Sequence, residues 1–220
     1  MKILVCAYRE WALTVYHNLV KECGNSCTEF NLVISLDELT KFYNSDYEIV
    51  IVIGWSWLIP QHIIEQSYVV GMHPSDLPAY AGGSPIQNQI IDGIEDSYAT
   101  LFRLTPQFDT GPILAKKSIS LRGHLKDVFD DISEKTLQLL IDMIRAWPSV
   151  TETPQLVNVK HKNVRRIKPE ASQITHEQLR SLSCKRLWNL IRCREDPYPN
   201  TYIEDETGRL IIKYVEFEPK

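Results

Sequence analysis

The stretch Tyr68-Val-Val-Gly-Met-His73-Pro-Ser-Asp-Leu-Pro-Ala-Tyr80-Ala-Gly-Gly-Ser-Pro-Ile-Gln87 decides how this chain is read. The apolar run over 68–73 reads as a strand whose last residue is an imidazole. A loop holding Pro74, Pro78, Gly82 and Gly83 follows, too rich in Gly and Pro to be regular. A helix then opens at Pro85, where proline's missing N–H costs nothing. Strand–loop–helix junctions of this kind carry sites more often than cores. Downstream, Gln107-Phe-Asp109-Thr-Gly-Pro-Ile-Leu114 sets one carboxylate at the end of another apolar segment. His73 and Asp109 meet only if the fold joins two strand ends, as two strands flanking a helix in a parallel sheet would do.

Outward from this segment, strands and helices alternate. Strands are expected over 2–7, 30–34, 46–53, 68–73, 99–104 and 113–120, and helices over 10–23, 36–42, 60–66, 85–92 and 125–145. The run Tyr47-Glu-Ile-Val-Ile-Val-Ile53 is β-branched and apolar enough for a central parallel strand. The alternation predicts an α/β doubly wound domain over residues 1–150, with a central, mostly parallel sheet. Residues 151–220 differ: a polar stretch broken by Pro154 and Pro169, a helix over 181–194, and a hairpin over 202–217 turning at 205–208.

Bulk properties narrow the class. The 220 residues are 44% hydrophobic and 24% charged, ordinary for a globular protein. The longest apolar runs are too short and interrupted to span a bilayer, and the N-terminus enters a strand without the layout of a signal peptide. A cytoplasmic protein without membrane contact is therefore expected. Its five cysteines (Cys6, Cys23, Cys27, Cys184, Cys193) have no metal-ligand spacing, so reduced thiols and no metal are expected. A net charge of −4 gives no pull toward nucleic acid.

A neutral imidazole at a strand end can take a proton or stabilise a developing oxyanion, and a nearby carboxylate fixes its tautomer. That suits acyl or formyl transfer to an amine, which needs no serine or cysteine nucleophile if the donor is already activated. On residues alone, a structural histidine near a turn and an ordinary Asp-Thr-Gly turn remain the alternatives.

At these residues the chain resembles the formyltransferase family that uses 10-formyltetrahydrofolate. That family's hallmark reads Asn-x-His-x-Ser-Leu-Leu-Pro-x-x-x-Gly, followed by a loop ending Asp-x-Gly. The matching stretch is Gly71-Met-His73-Pro-Ser75-Asp-Leu77-Pro78 with Gly82, then Asp109-Thr-Gly111. Gly54-Trp55-Ser-Trp-Leu-Ile-Pro60 is similar to the folate-lining segment. Arg166-Ile-Lys-Pro-Glu170 and Arg192-x-x-x-x-Pro197-Tyr198-Pro199 are similar to elements of sugar N-formyltransferases. The loop Gly82-Gly-Ser-Pro85 resembles a variant found in formyltransferases of pseudaminic-acid pathways.

The resemblance implies a Rossmann-like formyltransferase core over 1–150 with a short helix and β-hairpin extension over 151–220. It implies His73 as catalytic histidine and Asp109 as the group that orients it. Ser56, Trp57, Leu58 and Ile59, with Gln107 and Phe108, would cradle the pterin of N10-formyltetrahydrofolate. The family's catalytic Asn is replaced by Gly71, removing an amide whose contact to the formyl oxygen is worth about 3 kcal/mol. Asn88 is the expected substitute, with Gln87, a backbone N–H or lost activity as alternatives.

For the acceptor, a tRNA would call for a large C-terminal domain and a basic surface. A purine precursor would call for a Gly-rich phosphate loop where the sequence reads Cys6-Ala-Tyr-Arg9-Glu-Trp11. A nucleotide-linked (UDP- or dTDP-) deoxyamino sugar fits better, in a route to surface polysaccharide. Tyr198 and Tyr202 would stack on its base, Arg9 with Arg166 or Lys168 would hold its diphosphate, and Tyr80 and Gly82 would border the sugar. Hydrolysis of the formyl folate, and a binding module without turnover, are the rival readings. The hairpin suggests a homodimer paired across a two-fold axis.

Overall fold

The computed structural model describes residues 1–156 and 163–220. The middle of the polar stretch expected over 149–173 thus lies outside the described residues. The chain begins β1 (Lys2–Cys6), α1 (Glu10–Cys23), β2 (Glu29–Val33), α2 (Leu36–Phe42), β3 (Ile49–Val52), α3 (Gln61–Gln66) and β4 (Tyr68–His73). It continues α4 (Pro85–Ile91), β5 (Asp96–Arg103), β6 (Ile113–Ser120) and α5 (Leu125–Ala146). The remainder is a 3-10 turn (Pro169–Ser172), α6 (His176–Ser181), α7 (Cys184–Arg192), β7 (Thr201–Asp205) and β8 (Gly208–Ile212).

The strands of the main sheet are ordered β2-β1-β3-β4-β5-β6, parallel from β2 to β4, with β5 and β6 added antiparallel. Alternation within β1 shows why both faces are covered. Ile3 and Val5 join the buried cluster with Ala12, Val15 and Leu19 of α1 and Val128, Ile132 and Leu139 of α5. Leu4 and Cys6 point the other way, into a cluster with Leu39 of α2 and Ile63 of α3. Each such aliphatic side chain, fully withdrawn from water, contributes about 1.5–3 kcal/mol. Burial pushes the Cys6 thiol up to about 12, so it stays protonated and behaves as core. Together these elements form a Rossmann-like, mostly parallel α/β core with a separate antiparallel hairpin, β7–β8.

Two local expectations are corrected. The helix expected over 181–194 is α7, shorter at both ends, and α6 (His176–Ser181) precedes it unexpected, because the chain is capped twice. Thr175 and Gln178 cap the start of α6 reciprocally, and Ser183 accepts from Arg186 N at the start of α7. Likewise, His73 and Asp109 do not meet through the ends of two parallel strands. β5 runs antiparallel to β4, with His73 opposite Thr100 and Val70 opposite Arg103. It is the β5–β6 loop that returns along β4 and carries Asp109 back to the histidine.

The five cysteines are free. Among the described residues no helix is long and apolar enough to cross a membrane, and no cluster of His, Cys, Asp and Glu is placed to hold a metal ion.

Candidate active site

His73 ends β4 and is 7% exposed. Its Nδ1 stands 3.6 Å from Asp109 Oδ2, and its Nε2 lies 2.9 Å from the Tyr80 carbonyl oxygen. A carbonyl can only accept, so Nε2 carries a proton and the neutral ring offers its lone pair at Nδ1. A proton gained there faces the Asp109 carboxylate. At 3.6 Å the pair is looser than a hydrogen bond, a spacing that catalytic groups often show before substrate tightens them.

The loop between them is pinned from below. Ser75 Oγ donates to the Ala79 carbonyl at 2.6 Å, and Thr100 Oγ1 donates to the Ser75 carbonyl at 2.6 Å. Gln89 Nε2 donates to the Pro74 carbonyl at 2.8 Å, and Lys116 Nζ reaches the Leu77 carbonyl at 2.6 Å. Asp109 is held in turn: its Oδ2 accepts the Gly82 N–H at 2.8 Å, and Gln155 Nε2 donates to its carbonyl at 2.9 Å. Tyr80, Ser84 and Asp109 take positive φ (56°, 54° and 51°). Left-handed backbone at non-glycine residues is costly and collects at functional sites. Gly82 is needed as glycine: φ is 111°, and a Cβ there would run into the Val164 carbonyl oxygen.

A strap formed by 163–168 closes this side. Val164 N donates to Ala81 O at 2.8 Å, Gly83 N to Val164 O at 3.0 Å, and Ile167 N to Ser84 Oγ at 3.1 Å. His73 and Asp109 line a cavity of about 1110 Å³. On one side Ser56, Trp57, Leu58, Ile59, Gln107 and Phe108 form its wall. Trp57 (42%), Leu58 (70%) and Phe108 (65%) expose apolar surface there. The Trp55 indole N–H, also on this wall, is buried without a partner. An apolar slot of this kind suits a planar ring system. The cavity is also lined by Gly82, Arg166, Lys168 and Tyr198, and by Arg9, whose Nη2 lies 3.5 Å from Ser56 Oγ. Arg9 lies over the Tyr198 ring, 5.5 Å from its centroid. Burial pushes the Tyr198 phenol up, with Arg9 and Gln87 acting against it.

Three expected residues are not brought to the cavity. Asn88 is a correction: its Nδ2 donates to Ser84 O (2.9 Å), Gly83 O (3.2 Å) and Arg165 O (3.3 Å), so the amide fastens the strap. Its neighbour Gln87, 5% exposed, lines the cavity instead. Tyr80 contributes its carbonyl to His73, but its hydroxyl donates to Asp92 Oδ2 at 2.8 Å, away from the cavity. Tyr202 sits on β7 under the Arg209 guanidinium, 4.6 Å from its ring centre.

Gly71 is explained by space, since its φ is not positive. A Cβ there would run into Leu104 Cδ1 and would lie 3.1 Å from Phe102 Cε1. The room that an amide side chain would need is filled by these apolar groups from β5 and its loop. Sequence reasoning missed Arg194 and Gln155. Arg194 lines the cavity and Gln155 holds the carbonyls of Asp109 and Gly111, yet neither stands in a motif that marks it.

Comparison with known proteins adds the following. Residues 35–143 match the family model described as formyl transferase. The methionyl-tRNA formyltransferase of Rickettsia massiliae (strain Mtu5) is 30% identical over 178 residues, 78% of this chain and 55% of that protein. The chain spans little more than half the length of the first such curated relatives. A solved methionyl-tRNA formyltransferase from Clostridium thermocellum superposes with a TM-score of 0.86 at 24% identity, covering 99% of this chain and 94% of that one. A sugar N-formyltransferase from Shewanella sp FDAARGOS_354 does so at 0.77 and 16%, covering 100% and 99%. At these identities the two structures establish the fold.

Proposed function

From a chain that belongs to the formyl transferase family, we propose an enzyme that moves the formyl group of N10-formyltetrahydrofolate to the amine of a nucleotide-linked deoxyamino sugar. The observation that carries this is the juxtaposition of His73 Nδ1 and Asp109 Oδ2, 3.6 Å apart, in a cavity lined both by exposed apolar side chains and by the cations Arg9, Arg166 and Lys168.

The formyl folate, when bound, supplies an activated one-carbon electrophile on a nitrogen leaving group. Trp57, Leu58, Ile59 and Phe108 take up its ring. His73 removes the proton that the amine sheds as it attacks, holding it at Nδ1 against Asp109. The same nitrogen returns that proton to the departing nitrogen, so protons balance over the cycle. Asp109, fixed by Gly82 N and Gln155, stabilises the imidazolium that forms when Nδ1 takes the proton. With no side chain at Gly71, this reading gives the amide's role to Gln87, which lines the cavity and hydrogen-bonds Tyr198.

A small sugar acceptor, rather than a tRNA, is supported by the molecule-sized cavity and by the net charge of −4. Release of tetrahydrofolate, followed spectrophotometrically, tests the proposal. Release that depends on a UDP- or dTDP-linked amino sugar supports it. Release with methionyl-tRNA, or with water alone, would replace the acceptor by that substrate.

A further inference from the structure

Two acceptors compete for the single ring proton of neutral His73. Tyr80 O stands 2.9 Å from Nε2, and Asp109 Oδ2 stands 3.6 Å from Nδ1. A carboxylate is the stronger acceptor, so at equal distance it would draw the proton onto Nδ1. The nearness of the Tyr80 carbonyl is what keeps Nδ1 bare, as base action at that atom requires. Tyr80 itself is left-handed, with φ 56°, so its carbonyl is placed by the loop around it and not by local preference.

That loop leaves the sheet at His73 and comes back to it at Tyr80. In between, three of its carbonyls are held by neutral, buried side chains: Pro74 by Gln89, Ser75 by Thr100 and Ala79 by Ser75. Lys116 is a further anchor, different in kind. Its ammonium donates to Leu77 O at 2.6 Å and pairs with the Asp76 carboxylate, so it grips two successive residues at the middle of the loop. Strand register gives it this reach. His73 on β4 lies opposite Thr100 on β5, and Thr100 lies opposite Lys116 on β6, so the three side chains form one rung on one face of the sheet. The Tyr98 ring, two residues along β5 on that face, has its centre 6.0 Å from Nζ. The Lys116 side chain is 25% exposed, so water can take its place. Loss of Gln89 or Thr100 would instead leave a dry, unpaired carbonyl.

Resting on the formyl-transfer reading above, we propose that Lys116 is a positioning residue: by holding residues 76 and 77 it seats the Tyr80 carbonyl against Nε2 and leaves Nδ1 of His73 free to take the amine's proton. Without Lys116 the loop relaxes and the Tyr80 carbonyl draws back. The ring proton then moves to Nδ1 beside Asp109, and the lone pair is left on the wrong nitrogen.

Nitrogen NMR of the full chain labelled with 15N-histidine tests this, since the two tautomers give distinct ring shifts. The signal of His73 among the six histidines is identified by its loss in His73→Ala. Spectra are taken at about pH 8.5, about two units above the ordinary histidine value, where a neutral ring dominates. The unaltered chain should show the Nε2–H form. Lys116→Met should shift the tautomer ratio about tenfold or more toward Nδ1–H, as loss of a charge-assisted contact does. In tetrahydrofolate release, kcat should fall by a similar factor while KM for the formyl folate stays within about twofold. Lys116→Arg, which still donates to both partners, should return most of the loss. Asp76→Asn, which weakens the same anchor from its exposed end, should move the ratio the same way by less. Lys117→Met, which removes the neighbouring ion pair with Asp142, should leave the ratio where it is. An Nδ1–H form in the unaltered chain overturns the assignment, as does an unmoved ratio in both Lys116→Met and Asp76→Asn. A lower melting temperature with ratio and kcat unmoved makes Lys116 a structural residue only, and overturns it too. A shifted ratio in a chain that transfers no formyl group upholds the control of His73 by Lys116 and removes the formyl-transfer reading instead.

Discussion

Leu104 occupies the space into which a side chain at Gly71 would project: a Cβ at position 71 would run into Leu104 Cδ1. The site therefore lacks an amide at 71 because the β5–β6 loop has filled its place, and the rest of the cavity must compensate. Gly71→Ala should cost about 1–3 kcal/mol in denaturant unfolding through overpacking. In a Leu104→Ala background the same change should cost far less, since the two positions share one volume and are energetically coupled. Equal costs in both backgrounds would mean that Leu104 is not what excludes the side chain.

Gly82 joins three parts of the site: Asp109 accepts its N–H, Val164 pairs across it, and its φ is 111°. Gly82→Ala places a Cβ against the Val164 carbonyl and should destabilise by about 1–3 kcal/mol while loosening Asp109. Thermal melting checks the first effect and the rate of tetrahydrofolate release checks the second.

Trp57 packs against Tyr8 and Trp55, with ring centroids 4.9 and 4.8 Å away, and still leaves 42% of its surface open. Trp57→Ala should weaken folinic acid binding by about tenfold or more, as loss of an aromatic anchor does. Its stability should change little, because the ring is half exposed. Fluorescence or calorimetric titration gives the first number and melting the second.

A pH-dependent element lies outside the cavity. Burial pulls the His124 imidazole down, but Glu195 at 2.7 Å and Glu216 at 3.6 Å outweigh it, so its pKa is raised above the ordinary 6.5. The neighbouring Leu125 N–H, at the start of α5, donates to the other Glu195 oxygen at 2.9 Å. A raised folded pKa gives stability that is fully present below pH 6.5 and is lost as pH rises through the folded value. Accordingly, His124→Gln should lower the melting temperature most at mildly acidic pH, with the difference shrinking as pH rises. A difference that grows with pH would reverse the sign of this linkage.

Much of the fold was legible because its periodicities are strong. The bounds of β4, α2 and β6 coincide with the expected segments, since each is flanked by residues that stop it: Ser67 and Pro74 about β4, Ser35 before α2 and Pro112 before β6. The path by which Asp109 reaches His73 was not legible, because strand direction depends on pairing and not on local pattern. That Asn88 is turned away from the cavity was not legible for a similar reason. One residue along a helix turns the side chain by more than a quarter of a circle, and one of the three carbonyls that hold Asn88, that of Arg165, comes from a segment nearly eighty positions away. Arg194 and Gln155 gave no sequence signal at all. Their significance lies in the cavity they line or the carbonyls they hold, which only tertiary packing reveals.

Transfer of an isotopic label tests the central claim most directly. The chain would be incubated with N10-[13C]formyltetrahydrofolate and UDP- or dTDP-linked amino sugars, and the sugar products followed by mass spectrometry. Formyl transfer through His73 predicts a labelled N-formyl sugar from the unaltered chain. In His73→Ala its rate should fall by about 10²–10⁴, with folinic acid affinity preserved. Label released only as formate, or a His73→Ala variant that transfers at the original rate, would contradict it.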